Sequence, residues 1–84
     1  MLNVAMNAKT RDQIADTIAQ NLKSLRIGQD LTQAELAEIL GITRVQLNRI
    51  EQGGTLPSTE VLFAIADYFQ VSVDHLRKIS VMLA

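Results

Sequence analysis

The stretch Gln33-Ala-Glu-Leu-Ala-Glu-Ile-Leu-Gly41-Ile-Thr-Arg-Val-Gln-Leu-Asn-Arg-Ile50 decides how the rest of the chain is read. Leu36, Ala37 and Leu40 recur at helical spacing, Gly41 interrupts, and Leu47 and Ile50 resume the period. Thr32 stands before the first run with Glu35 three residues on, a capping box that satisfies the free N–H groups of a helix start. Gly41 falls where a helix ends most cheaply in a left-handed residue, and Thr43 can cap the next one. The pattern predicts two short helices crossing steeply around a turn of about three or four residues. Ala37 is small enough for close approach, and Leu36, Leu40, Ile42, Leu47 and Ile50 fill the wedge between them.

Once those apolar positions face inward, the second of these helices is left with Thr43, Arg44, Val45, Asn48 and Arg49 on its outer side. Arginine can bond guanine O6 and N7 together, asparagine can pair with adenine, and an apolar group can meet the methyl of thymine. The residue types therefore suit a nucleic-acid groove.

Outward from this centre, Ile14, Ile18, Leu22 and Leu25 predict an earlier helix over residues 11–27, started by a capping box at Thr10–Gln13 and broken by Gly28, Gln29 and Asp30. Gly53 and Gly54 end the outward-facing helix. Pro57-Ser58 opens a fourth, with Leu62, Ile65, Ala66 and Phe69 in period. Val71-Ser72-Val73 alternates as a strand would, but Ser72 can cap, and Leu76 and Ile79 share a helical face, so a turn and a short fifth helix are expected. Residues 1–9 show no clean period and read as an arm, 10–79 as one domain, and 80–84 as an apolar tail.

At 84 residues and 48% apolar, the chain allows one small all-α domain and argues against disorder. It has no cysteine, so no disulfide or thiolate zinc site is available. The start, MLNVAMNAKTRDQ, lacks the basic and apolar regions of a signal peptide. The longest apolar run, Val61 to Ala66, is far too short to span a membrane, so a cytoplasmic location is expected. Carboxylates are scattered over polar faces, with no nucleophile paired to a base and no phosphate loop, so no enzyme is expected. His75 is the only histidine and reads as an ordinary residue, and the three methionines as packing; no metal and no cofactor are expected. Net charge is −1, which counts against a nucleic-acid partner unless a local patch acts.

The spacing of several segments resembles the phage-repressor (Cro-type, or XRE) helix-turn-helix family. The segments are Leu22-Lys-Ser-Leu-Arg26, Leu31-Thr-Gln-Ala-Glu-Leu-Ala37, Arg49-Ile-Glu-Gln-Gly53, Pro57-Ser58 and Val71-Ser-Val-Asp-His-Leu76. The resemblance implies a compact five-helix, lambda-repressor-like fold and binding of double-stranded DNA. It implies base reading by Arg44, Val45 and Arg49, with Asn48 on the same face, and backbone contacts from Thr43 and Gln52. Gln33 would touch a phosphate and brace the reading helix, and Arg26 would pair with Glu51 as a structural ion pair.

Two departures from the family bear on that expectation. Asp30 replaces a customary glycine before Leu31, a substitution aspartate tolerates in a left-handed turn, unless the turn moves to Gly28. Gly54 and Thr55 stand where relatives carry a phosphate-gripping cation. With so few cations one subunit should bind weakly, because log affinity falls against log salt by about 0.9 per neutralised phosphate. A homodimer on two half-sites is therefore expected. Leu76, Ile79, Val81, Met82 and Leu83 are its candidate interface, with Leu2, Val4 and Met6 a second apolar segment; either end could instead fold onto its own core. The expected function is a transcriptional regulator that represses by occupying operator DNA, with no effector domain. The alternative is an antitoxin or other protein-interaction module whose partner is a toxin, and a third reading is a module that only self-associates.

Overall fold

A computed structural model describes residues 8–78. They form α1 (Ala8–Gly28), α2 (Gln33–Leu40), α3 (Arg44–Glu51), α4 (Thr59–Phe69) and α5 (Val73–Leu76), with no strand among the described residues. The all-α, five-helix reading stands, and Val71-Ser72-Val73 is a turn entering α5 rather than a strand.

Three of the four connections use one short device. Asp30, Gly41 and Gln70 each take the left-handed conformation, with φ of +57°, +74° and +58°. The residue after each closes the helix end by a long backbone bond: Leu31 N–H to Arg26 O, Ile42 N–H to Ala37 O, and Val71 N–H to Ala66 O, at 3.1, 3.0 and 3.0 Å. This Schellman closure satisfies carbonyls that the last turn leaves free. Leu31, Ile42 and Val71 also pack against the core. The next residue in each case is a hydroxyl cap: Thr32, Thr43 and Ser72 accept from the N–H of Glu35, Gln46 and His75. Asp30-Leu31-Thr32, Gly41-Ile42-Thr43 and Gln70-Val71-Ser72 are thus one connector written three times: a left-handed residue, an apolar anchor and a cap. Asp30 keeps the turn at its own position, and Gly28 stays inside α1.

Among the described residues, the large side chains with no exposure at all are Leu22, Leu36, Leu47, Ile65 and Leu76, one from each helix. Burial of side chains of this size stabilises by roughly 1.5–3 kcal/mol each, so every helix is tied to one centre. Ala37, 3% exposed, lies in the same cluster and lets α2 approach closely.

The structure departs from the sequence expectations at Thr10 and Leu76. Ala8 and Lys9 are already helical, so Thr10 lies inside α1 and cannot serve as its N-cap, which needs extended backbone. Leu76, expected at a dimer interface, is wholly buried in its own subunit's core. A side chain that already fills the centre of one subunit has no surface to offer a second. Ile79, Val81, Met82 and Leu83, like Leu2, Val4 and Met6, lie outside the described residues.

Candidate nucleic-acid interface

Helix α3 has eight residues and two unlike faces. Leu47, Ile50 and Glu51 are buried, while Arg44, Val45, Gln46 and Arg49 are exposed. Thr43 caps the N-terminus, its Oγ1 accepting from Gln46 N–H at 3.0 Å and Gln46 Oε1 accepting from Thr43 N–H at 2.8 Å. Gln46 thereby closes a capping box that the Thr43-x-x-Gln46 spacing signals. Gln52 is exposed at the other end, its N–H bonded to Asn48 O.

The back of α3 is held by a network of charged and amide groups. Arg26 Nε donates to Glu51 Oε2 at 2.7 Å and Arg26 Nη2 to Glu51 Oε1 at 3.0 Å, a bidentate pair. Arg26 Nη1 bonds the Leu31 carbonyl at 2.8 Å, so all three guanidinium nitrogens are used inside the molecule. The hydrogen bond to Glu51 raises the Arg26 pKa further above its ordinary value, with the carboxylate charge adding to it and burial opposing. Gln33 Nε2 donates to Glu51 Oε1 at 3.1 Å and to Asn48 Oδ1 at 3.2 Å. One carboxylate at the end of α3 therefore gathers the end of α1 and the start of α2.

The consequence is a rigid placement of the outer face. Of the seven positions expected to touch a duplex, Thr43, Arg44, Val45, Arg49 and Gln52 are exposed, and Asn48 and Gln33 are half-buried where α2 meets α3. Thr43, Arg44, Val45, Asn48, Arg49 and Gln52 lie on α3 or at its two ends, and Gln33 is joined to them through its bond to Asn48. Both donors of the Gln33 side chain are spent on bracing, and its backbone N–H lies in the first turn of α2. Gly53, Gly54, Thr55 and Leu56, which follow α3, add no cation. Among the described residues Arg44 and Arg49 have no ion-pair partner, which leaves two uncompensated positive charges on this face.

A short helix locked from behind, with its cations outward and a capped turn in front, defines a helix-turn-helix domain. The chain belongs to the helix-turn-helix family HTH_3, whose model matches residues 22–76. It is 49% identical over 55 residues to antitoxin PezA of Streptococcus pneumoniae, a match covering 66% of this chain and 35% of that protein. It is 39% identical over 57 residues to the HTH-type transcriptional activator BcrR of Enterococcus faecalis, covering 68% of this chain and 28% of that one. The matches thus take in about a third of the length of these curated relatives. The solution structure of the SOS-response transcriptional repressor LexA from Eubacterium rectale superposes with a TM-score of 0.79, covering 88% of this chain and 79% of that one at 24% identity, a likeness of fold. No helix among the described residues is long and apolar enough to cross a membrane.

Proposed function

We propose that this chain is a sequence-specific DNA-binding transcriptional regulator that represses by occupying operator DNA as a homodimer in the cytoplasm. The observation that carries the reading is the outer face of α3. Val45 is 62% exposed between two unpaired arginines, on a helix whose other side is fully packed. An apolar side chain beside two guanidinium groups matches what base edges present in the major groove. Arg44, Val45 and Arg49 read bases with Asn48 beside them; Thr43, Gln52 and the α2 N-terminus at Gln33 hold the backbone. Occupying a promoter requires no surface beyond these.

Two exposed arginines neutralise few phosphates, so useful affinity comes from two subunits on half-sites about one helical turn apart. The remaining candidates for joining them are Ile79, Val81, Met82 and Leu83. Selection of bound sequences from a random duplex pool at two salt concentrations tests the reading. Arg44→Ala and Arg49→Ala should each weaken the selected site and relax its sequence, with helical content unchanged. Equal binding by both variants would refute the assignment of bases to this face.

A second reading is favoured by the similarity to a protein named as an antitoxin: the fold also holds a partner protein. A stable complex with the product of a neighbouring gene on co-expression would support it, and DNA binding by that complex would unite the two readings.

A further inference from the structure

The largest exposed aromatic surface lies away from α3. Phe63 is 61% exposed on α4 and stands over a shallow groove shared with Glu60, Ala64, Asp67, Gln70 and Val71. Positions 63, 64 and 67 lie three, four and seven residues after position 60, so the four form one stripe along the helix. That stripe reads carboxylate, phenyl, methyl, carboxylate.

The charges at its two ends say what can cover it. Neither Glu60 nor Asp67 has an ion-pair partner among the described residues. Asp67 also sits in the last turn of α4, where the aligned carbonyls already make the helix end negative and no basic residue offsets them. A carboxylate there is unfavourable by itself and becomes favourable when a cation docks against it. We propose that the Glu60–Phe63–Asp67 face of α4 is a docking surface for a basic amphipathic helix of another protein, with an apolar anchor against Phe63 and lysine or arginine at each end.

Charge decides against α4 of a second copy and against the chain's own ends. Two copies packed α4 on α4 in antiparallel fashion set Glu60 of each against Asp67 of the other, and parallel packing sets like against like, so both orders oppose four carboxylates. The apolar ends of this chain also fit poorly: residues 79–84 and 1–7 contain no lysine or arginine. Arg77 and Lys78 are engaged with Asp74. Arg44 and Arg49 belong to the face assigned to DNA. The surface shares no residue with that face, so the inference stands whether or not DNA is bound.

The probe is a synthetic peptide of about 18 residues, long enough to hold a helix in water, with a leucine stripe flanked by lysines. Its control carries glutamate in place of lysine. Titrated into the full chain and followed by amide chemical shifts, the lysine peptide should perturb residues 60–71 first, and the control should perturb none of them. Phe63→Ala should weaken binding about tenfold or more, as removal of a central aromatic anchor does, and Glu60→Lys with Asp67→Lys should abolish it. Phe63 is solvent-facing, so circular dichroism should be unchanged. Shifts gathered instead on Glu35 and Glu38 of α2, or an affinity indifferent to Phe63→Ala, would overturn the proposal. So would loss of self-association in Phe63→Lys by sedimentation, which would make a second copy the occupant. Movement of the residue 79–84 resonances on changing Phe63 would assign the face to the chain's own tail and overturn it equally.

Discussion

The Asn21 side-chain amide donates to the Leu76 carbonyl at 2.7 Å, joining positions 55 residues apart in sequence. Its second N–H reaches the Lys78 carbonyl at 2.8 Å. Asn21 is 7% exposed, so these bonds are made where water competes poorly. Helix α5 has only four residues and little stability of its own; the amide on α1 holds its end in place while Leu76 fills the core. Asn21→Asp keeps the shape and removes both donors, setting a carboxylate against two carbonyl oxygens. It should lower stability by about 2–3 kcal/mol, and Asn21→Ala by about 1–2 kcal/mol, measured by urea denaturation at neutral pH. Equal losses in the two variants would mean that packing, not hydrogen bonding, is what Asn21 supplies.

The Arg26–Glu51 pair should behave asymmetrically. The Glu51 side chain is 2% exposed and that of Arg26 12%, so a stranded Glu51 has less access to water than a stranded Arg26. Arg26→Met should therefore cost more than Glu51→Leu, with the larger loss about 3–5 kcal/mol. The double variant should recover at least about 1 kcal/mol relative to the sum of the singles. Strict additivity in the double-mutant cycle would show that the pair does not act as a unit.

Gly53 is required for its backbone conformation. Its φ of +84° is a conformation that side-chain-bearing residues rarely adopt, and a Cβ there would strike the carboxylate of Asp16 on α1. Gly53→Ala should destabilise by about 1–2 kcal/mol, the cost of a left-handed backbone for a side-chain-bearing residue, because the exposed Asp16 side chain can swing aside. Adding Asp16→Ala removes the contact but not the backbone cost, so it should restore little of the loss. Full restoration would locate the whole penalty in the Asp16 contact.

Acid should expose the small contribution of Asp74. Its hydrogen bond to Lys78, then the charges of Lys78 and Arg77, hold its carboxyl below the usual range. A depressed value means that the folded state favours the ionised form; the gain is present above the unfolded value of about 3.9 and fades as pH falls through the folded one. The melting temperature of Asp74→Asn should therefore lie slightly below wild type at neutral pH and converge on it in acid. Because the group is fully exposed, added salt should also close the gap. A gap that widened in acid would contradict the pairing.

Legibility in the sequence varied with the range of the interaction. The inward periods of α2, α3 and α4 and the caps at Thr32, Thr43, Ser58 and Ser72 depend on residues three or four apart, and all were readable. The start of α1 was misplaced because a capping-box spacing at Thr10 says nothing about whether the residues before it are already helical. The surface that Leu76 serves is not legible, because an apolar residue has the same pattern whether it faces a neighbour or its own core. Asn21 went unnoticed: a polar residue between apolar ones carries no mark of the carbonyls it will meet across the fold.

By itself, then, the order of residues determined the helices, the connectors between them and the family resemblance, since periodicity, capping and left-handed turns are settled within a few positions. Only the packed chain decided which of those helices share a centre, that Glu51 would collect Arg26 and Gln33 from two others, and that Phe63 would be left uncovered. Such contacts join residues far apart in sequence, and their energies exist only once the backbone has brought the groups within reach.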